Sequence, residues 1–493
     1  MSGQSNITSG FIDLATFDEL EKYLYGGSSA IAYFVRETRK ATWFTQVPVV
    51  LSRSNGNAEF GGDFSVNISR AGDYLLYAWL RVNVPQVSLL VTGSSGFGAN
   101  GRIRWTRNLM HNLVAECSIT FNDLTAATFN NWHLDFWAAF TVPAGKLNGY
   151  KNMIGDFDDL TSPHEPDVAG NYDNAIPAFT LNLPLPFFFS RDSGVALPTA
   201  ALPYNEMRIA YSFRNWSELL ILDNVPPGVG VVPTSQPPQA GDIQGGAPVL
   251  GPVQTWANYA IVSNDERKRM ACAPRNILIE QVQTAPANTF GANTSPSFDL
   301  RFSHAIKVIF FAVQNTTVSS EWSNYTAATP LPASKVVNFN PSGAVDPIAS
   351  TSLAYENTNR LTNMGSDYYS LVQPWYHAPV IPLETGYHMY SYSLDFICLD
   401  PKGSTNYGKL TNVSIAPVPS AGALTGVNGT GALNSGVNFP QTYKFITTVV
   451  NNNIIRISGG KLRECYQQWD ACRDVISLGW ENVVRYRQQK CCI

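Results

Sequence analysis

The second half of this chain resembles the first half in its pattern of turns and strands. Residues 184–194 form a turn rich in Pro and Phe, and residues 202–213 read as the loop and alternating strand that follow it. Residues 374–394 repeat this order, and a weaker similarity pairs residues 104–121 with residues 301–313. Self-similarity on this scale indicates one β domain used twice. Two similar domains in one chain make a unit that is suited to tiling a surface.

Charged residues make up 14% of the 493 residues, against about 25% in typical soluble domains. Two interpretations stay open: a β-rich protein whose surface is built from Asn, Ser and Thr, or a protein that buries much of its surface against neighbours, where charge is depleted. The net charge is −4, so we expect no direct binding of nucleic acid, which needs a basic patch. The 37 Gly and 31 Pro residues are typical of short strands joined by turns and long loops.

The N-terminus shows no basic region followed by an apolar stretch, and Ser2 stands where myristoylation needs Gly. No apolar run reaches the roughly 18–20 residues of a membrane span, so we expect a protein that is made in the cytosol and stays soluble. Three of the seven cysteines are scattered and four lie beyond residue 464. An odd number of cysteines in a chain with a large core argues against a disulfide framework.

A short helix is predicted over residues 13–25, with Thr16 as its N-cap, Glu19 completing a capping box and a Gly pair after Tyr25 ending it. We expect residues 1–10 to be flexible. The helix either packs on its own sheet or forms an arm that touches a partner or an inner layer.

Strands dominate from residue 41 onward. The clearest alternation runs over residues 113–121, where Leu113, Cys117 and Phe121 share the predicted buried face. Further strands are predicted at residues 73–82, 207–213, 256–262, 277–283, 388–396 and 443–457.

The Pro- and Gly-rich stretch 225–252 is either an interdomain linker or a long surface loop. We favour the loop, because the strand at 256–262 is needed to complete the first domain. The Gly- and Asn-rich stretch 401–438 has the same place in the second domain, and the boundary falls at a charged turn over residues 264–270. The predicted organisation is an N-terminal arm with a short helix at 1–27, a first β domain at 28–264, a linker at 265–274, a second β domain at 275–460 and a Cys-rich tail at 461–493.

Five separated blocks of the sequence resemble the major capsid proteins of large icosahedral DNA viruses. The resemblance is strongest to the iridoviruses, in particular the invertebrate iridescent viruses, and it covers about residues 6–460. The blocks follow the order of that family, and they lie at residues 9–15, 187–206, 265–283, 403–408 and 452–457.

The resemblance implies an all-β fold, the double jelly roll, in which two eight-stranded antiparallel sandwiches stand side by side. A jelly roll buries its inner faces and shortens its exposed edges. The resemblance also implies a structural protein of the virion that self-assembles in the host cytoplasm: a homotrimer whose six jelly rolls form a pseudo-hexagonal capsomer, with neighbouring capsomers and minor capsid proteins as partners. The N-terminal arm is expected to face inward, toward minor proteins or an internal viral membrane, and residues 225–252 and 314–347 are candidates for outer loops.

The C-terminal tail departs from the family pattern. Such chains stop soon after the segment that occupies residues 455–460 here, whereas residues 461–493 continue with dense charge and cysteine. Residues 462–472 are predicted to form an amphipathic helix. One interpretation is an extension that binds a minor capsid protein or cross-links neighbours. The other, which the abrupt change in composition favours, is an altered reading frame or misassembled gene end with little fold of its own.

Motifs of cofactor and metal sites are incomplete. Residues 96–101 match Gly-x-Gly-x-x-Gly, but the strand-like residues 102–105 follow where a dinucleotide site needs a helix. The acidic residues Asp156, Asp158 and Asp159 lack the Gly of a calcium loop, and we interpret them as a solvated loop, with cation binding between subunits as the alternative. The six histidines form no metal pair at helical spacing, and the tail cysteines fit no standard zinc spacing.

Motifs of catalysis are also missing. Ser190 and Ser193 lie outside any nucleophile elbow, and Asp192 is expected to shape a turn through its side chain. We therefore predict no enzyme and no catalytic, cofactor-binding or metal-binding residue. Two other classes of function stay open. One is a β-sandwich that binds glycans through exposed aromatic residues, and the other is a carbohydrate-active enzyme, for which no acid/base pair is identifiable. The glycan-binding candidates are Trp322, Tyr325 and Trp375.

Overall fold

The structure of the protein is a computed structural model. It describes residues 4–28, 34, 41–90, 101–161, 175–224, 234–272, 275–317, 319–328, 345–427, 441–458 and 461–464. The chain divides into two units, residues 1–44 and residues 45–493. Among the described residues, no helix combines the length and the apolar content that crossing a membrane requires.

Ten helices are described. In chain order they are α1 (Gln4–Ala15), α2 (Glu19–Tyr25), α3 (Leu109–Leu113), α4 (Asn131–Thr141), α5 (Ala144–Ile154), α6 (Asp158–Thr161), α7 (Trp216–Leu219), α8 (Asn264–Cys272), α9 (Gln373–His377) and α10 (Ala421–Thr425). A π-helical turn, Tyr368–Val372, leads directly into α9.

The strands up to residue 262 are called the first half, and they are β1 (Phe44–Val50), β2 (Arg53–Gly56), β3 (Asp63–Asn67), β4 (Tyr74–Val84), β5 (Val87–Ser88), β6 (Gly101–Trp105), β7 (Val114–Phe121), β8 (Leu124–Asn130), β9 (Ala175–Ile176), β10 (Phe179–Pro184), β11 (Met207–Phe213), β12 (Leu220–Asn224), β13 (Thr234–Gln236) and β14 (Val253–Val262). Those from residue 275 onward are called the second half, and they are β15 (Arg275–Thr284), β16 (Asn288–Phe290), β17 (Phe298–Asp299), β18 (Ala305–Asn315), β19 (Ile348–Tyr355), β20 (Thr358–Gly365), β21 (His388–Ser391), β22 (Thr405–Asn406), β23 (Val413–Pro419), β24 (Tyr443–Ser458) and β25 (Lys461–Glu464).

The N-terminal unit contains two helices where one was predicted. The first helix ends at Ala15 and the second begins at Glu19, and the N-cap of α2 is Asp18, not Thr16. Asp18 accepts the backbone N–H of Glu19, and the carboxylate of Glu21 accepts the backbone N–H of Asp18 at 3.3 Å. Aspartate is preferred at least as strongly as threonine at the N-cap, which is consistent with the start of α2 after Asp18. Residues 4–10, which were expected to be flexible, belong to α1.

Two main antiparallel sheets build each half. In the first half their strand orders are β1-β14-β4-β10 and β2-β3-β11-β7-β8. In the second half they are β15-β24-β18-β21, with β16, β22 and β25 added at its sides, and β17-β23-β19-β20. Buried side chains of both sheets form the core of each half. The opening strand of each half thus pairs with its closing strand, and the two halves repeat one topology.

The strands predicted from alternation are present, with two adjustments. The strand predicted at 388–396 is shorter, His388–Ser391. Leu113 ends the short helix α3, and the register of β7 against β11 shifts at Phe213, which faces Val114. An extra residue in one strand changes which side chains face inward, and Val114 and Cys117 are both buried as a result.

The segments that drew attention to the duplication are not equivalent strands. Residues 207–213 form β11, whereas residues 388–391 form β21, which by its place in the sheet corresponds to β10. In the weaker pair, residues 114–121 form β7 and residues 305–313 lie in β18, the counterpart of β4. A Pro- and aromatic-rich turn precedes both β11 and β21, so this local pattern identifies a strand without identifying its neighbours.

Three predicted segments have a different structure. The charged turn at 264–270 is the helix α8, and the stretch 401–438 contains the strand β23. Residues 461–464 form β25, which pairs with the end of β24, so the helix predicted from residue 462 is wrong where it is described. The rest of the tail lies outside the described residues.

Candidate assembly surface

Helix α4 joins the two halves of the chain. The Asn130 side chain caps its start by accepting the backbone N–H of His133 at 3.0 Å. Phe136 and Phe140 are four residues apart and therefore lie on one face of the helix. Both rings stack on Phe310 of β18, with centroid distances of 6.0 and 5.3 Å. The outer face of the second-half sheet is thereby buried by a helix of the first half, a contact called the seam below.

A buried carboxylate crosses the seam close to these rings. One oxygen of Asp135 accepts hydrogen bonds from Asn108 at 3.1 Å and bonds the Nδ1 atom of His111 at 2.7 Å. The other oxygen accepts the hydroxyls of Ser323 and Tyr325, both at 2.8 Å. Because a buried carboxylate is costly unless it is fully hydrogen-bonded, this arrangement ties a first-half side chain to the loop after β18.

Two arginines of the first half, Arg104 of β6 and Arg107 just before α3, each pair with one acidic residue of the second half, and Arg104 also pairs with Asp223 of β12 in its own half. Arg104 pairs with Asp223 at 2.6 Å and with Glu321 at 2.5 Å. Arg107 pairs with Glu384, which also lies 3.5 Å from Lys151. Burial alone raises the pKa of the Glu384 carboxyl, but Arg107 and Lys151 more than offset this and hold that pKa below its usual value.

A third ion cluster connects two of the sequence blocks that carried the family resemblance. Arg191 bonds Glu280 of β15 at 3.0 Å and stacks its guanidinium on Trp137 at 3.6 Å. Lys307 of β18 is fully buried and bonds the other oxygen of Glu280 at 2.5 Å. Burial lowers the pKa of Arg191, and Glu280 compensates only part of that effect. Removing one member of such a cluster leaves a buried, uncompensated charge, so we expect the loss of any one member to destabilise the seam.

The corresponding outer face of the first half is open. Trp79 of β4 stacks on Trp256 of β14 at 5.9 Å, and the Tyr77 ring lies 6.1 Å from Trp79. Tyr77 is 46% exposed. These three residues are called the aromatic face. It borders a groove of about 890 Å³ against helices α4 and α5. Exposed apolar surface of this kind commonly marks a protein interface.

Helix α9 carries a second apolar patch. Trp375 is 71% exposed and Tyr376 is 72% exposed, while Leu394 lies beside the helix, where its carbonyl is 3.2 Å from Nδ1 of His377. Large exposed aromatic side chains are characteristic of interface anchors. We call Trp375, Tyr376 and Leu394 the α9 patch.

The N-terminal unit exposes a third set of apolar side chains on α1, α2 and the turn between them. These residues are Ile7, Phe11, Ile12, Leu14, Phe17, Leu20, Tyr23, Leu24 and Tyr25.

The three glycan-binding candidates do not form a site. Tyr325 is buried and bonds Asp135, and Trp322 packs under the guanidinium of Arg214 at 3.8 Å while its Nε1 donates to the carbonyl of Glu218. Burial lowers the pKa of Arg214 to about 10. Only Trp375 is exposed, so no described observation favours glycan binding.

The acidic and catalytic candidates also have structural surroundings. Asp156 is buried and lies 3.1 Å from Lys151, so the expectation of a solvated loop is wrong for this residue. The turn at Ser193 is closed by backbone bonds, without the side-chain cap expected from Asp192. The Ser190 hydroxyl donates to the carbonyl of Phe187.

Gly, His and Cys motifs add no ligand site within the part of the chain that the structure describes. Residues 96–100 of the Gly-rich motif, His164 and the tail cysteines lie outside it, and the strand expected after Gly101 is β6. His111, His133 and His388 are buried, and no group of His, Cys, Asp and Glu that would hold a metal ion is found in the described ranges. Of the predicted outer loops, residues 234–236 form β13, and Tyr325, Ala327 and Ala328 of the other are buried.

Family models, related sequences and a solved structure all match this chain. A family model described as the N-terminus of the major capsid protein matches residues 32–262, and one described as the major capsid protein of large eukaryotic DNA viruses matches residues 266–462. The major capsid proteins of Costelytra zealandica iridescent virus and Invertebrate iridescent virus 6 are 62% and 63% identical to the chain. Each alignment covers 93% of this chain and 98% of the relative. The solved structure of PBCV-1 VP54 superposes with a TM-score of 0.69 at 19% identity, covering 89% of this chain and 100% of VP54.

Proposed function

Because the chain belongs to the family of major capsid proteins of large eukaryotic DNA viruses, we propose that three copies of it associate into a pseudo-hexagonal capsomer. The chain is a structural component of the virion, not an enzyme, and it builds the icosahedral shell by self-association of capsomers. The repeated topology is the observation that carries the trimer: two equivalent halves in each of three chains give six similar units around one axis.

Each half is proposed to be one eight-stranded jelly roll, the first within residues 28–264 and the second within residues 275–460. The pairing of β14 with β4 supports this division, because the strand after the Pro- and Gly-rich stretch returns to the first-half sheet. The two family models also meet between residues 262 and 266. Residues 265–274 then form the linker, which α8 largely occupies.

The N-terminal arm, residues 1–27, is proposed to face the inside of the shell and to contact minor capsid proteins or an internal viral membrane. Its two helices expose many apolar side chains, and none of their side chains is buried among those that the structure describes. Side chains of this kind are stabilised when a partner surface covers them. The proposal also places assembly in the host cytoplasm. It further states that the tail, residues 461–493, is dispensable for the trimer.

The experiment is the molar mass of the purified full-length chain by light scattering, repeated on a chain without residues 465–493. The proposal predicts three times the mass of the single chain in both cases, and the full-length chain has a mass of 54.0 kDa. A dimer, or a monomer at every concentration, would contradict the trimer. A full-length trimer with a monomeric truncated chain would contradict the dispensable tail alone.

A further inference from the structure

Strands β4 and β18 are equivalent residue by residue. Each is the third strand of its sheet, and each carries one extra residue opposite its closing strand. The register of β4 against β14 skips Leu76, and that of β18 against β24 skips Lys307. Counting three residues on from each extra residue places Trp79 of the first half at the position of Phe310 in the second. Both side chains therefore occupy the same point on the outer face of equivalent sheets.

The two equivalent faces differ in what covers them. Phe310 is completely buried because Phe136 and Phe140 of α4 lie on it. No described residue plays that part for Trp79 and Tyr77, which border the open groove beside α4 and α5. Each chain therefore has one outer sheet face that a helix of the same chain covers, and one equivalent face that no described residue covers in this way.

The helical connections are equivalent too. Helix α4 lies between β8 and β10, and the π-turn with α9 lies between the corresponding strands β20 and β21. Each connection anchors one side chain in the core of its own half, Leu134 and Tyr369 respectively. The rings on the outward side of α4 pack against the second half, whereas Trp375 and Tyr376 of α9 remain exposed.

We infer that the α9 patch of one copy covers the aromatic face of the next copy, as α4 covers the face around Phe310 within the chain. This inference rests on the proposed trimer and assigns its interface. The donor and the acceptor are different surfaces, so the contact is heterologous, and a heterologous contact repeated by rotation closes into a ring. Around a ring of three chains, three seams inside chains then alternate with three contacts between α9 and the aromatic face.

Charged substitutions on each side of the contact test the inference. Trp375→Glu alters the α9 patch, and Tyr77→Glu alters the aromatic face. Both residues are exposed in the single chain, so both variants are expected to fold. Aromatic anchors at the centre of an interface dominate its affinity, so each variant should raise the protein concentration at which the trimer half-dissociates by about 30-fold or more. Tyr204→Glu is the matched control, because Tyr204 is 71% exposed, as Trp375 is, and lies outside both surfaces.

Light scattering over a dilution series measures the effect, with circular dichroism to verify the fold. If the wild type is a trimer and both charged variants half-dissociate at the same concentration as the wild type, this inference is overturned and the proposed capsomer stands. A wild-type monomer at every concentration would overturn both. If a charged variant does not fold, mixed Tyr77→Cys and Trp375→Cys chains treated with a short thiol cross-linker give the answer. We expect a cross-linked pair well above the level from a Tyr204→Cys and Trp375→Cys mixture, and equal levels would overturn the inference.

Discussion

Trp79 and Phe310 occupy equivalent positions on equivalent strands, yet among the described residues only Phe310 is covered by aromatic rings of helix α4. The difference separates two roles of one kind of surface. In the second half it forms part of the folded chain, and in the first half it is left for assembly. The stability of the chain and the association of chains are therefore expected to respond to different substitutions.

Truncating the rings of the seam should destabilise the single chain. Phe136 is fully buried against Phe310, and replacing a buried Phe by Ala costs about 3–5 kcal/mol in the free energy of unfolding. We expect a loss of that size for Phe136→Ala in urea denaturation. Phe11→Ala, at an exposed position of α1, should change the free energy of unfolding by less than about 0.5 kcal/mol. Equal effects of the two substitutions would contradict the assigned role of Phe136.

Asp135→Asn should destabilise the contact between the halves. The amide keeps the shape of the carboxylate but turns one acceptor into a donor, which faces either His111 and Asn108 or the hydroxyls of Ser323 and Tyr325. Leaving buried polar groups unpaired costs about 1–3 kcal/mol each. We expect a loss of about 2–4 kcal/mol by urea denaturation. The control, Asp395→Asn, breaks a solvent-exposed pair with Lys402, and it should cost less than about 1 kcal/mol.

The ion pair of Glu384 predicts a loss of stability in acid. Its pKa in the folded chain lies below the ordinary value of 4.5. The contribution is therefore fully present above the unfolded pKa and is lost as the pH falls through the folded pKa. Melting temperatures measured from pH 6 downward should fall less steeply in acid for Glu384→Gln than for the wild type. Glu206→Gln, at an exposed pair with Arg208, is the control and should follow the wild type. A Glu384→Gln curve parallel to the wild-type curve would rule out this contribution.

His133 predicts a second pH dependence in a different window. Burial, with a smaller effect of Arg191, lowers the pKa of His133 to about 3, and neither ring nitrogen has a hydrogen-bond partner among the described residues. Between the unfolded pKa of about 6.5 and that value the unfolded chain binds the proton, so stability falls as the pH falls. The loss approaches about 1.4 kcal/mol per pH unit. His133→Phe should remove this dependence, as measured by urea denaturation at pH 4 and pH 7, and an unchanged difference between the two pH values would contradict it.

Sequence patterns identified the strands better than their partners. Alternation places β4, β7, β11, β14, β15 and β24 within a few residues, because one buried face leaves a period of two in the chain. The pairing of segments between the halves was wrong, since β11 and β21 share a local pattern but belong to sheets that do not correspond to each other. Helix α8 stands where a charged turn was predicted, because the prediction did not weigh the helical propensity of its Glu, Arg, Lys, Met and Ala residues.

The seam was not predictable from local patterns. Arg104, Asp223 and Glu321 are far apart along the chain, and only the folded sheets bring them together. The block around Arg191 was noticed, but as a turn signal and not as one side of an ion pair with Glu280. The residues of the aromatic face lie in two correctly predicted strands, β4 and β14, yet the exposure of that face depends on where α4 packs, which is a property of the tertiary fold.

The most direct test of the account is a cryo-EM reconstruction of the shell that this chain forms. We expect each capsomer to contain three chains, with six similar β-sandwiches around its axis. A capsomer that contains two chains would contradict the central claim. So would a capsomer of six chains in which each chain contributes only one sandwich to the ring around the axis.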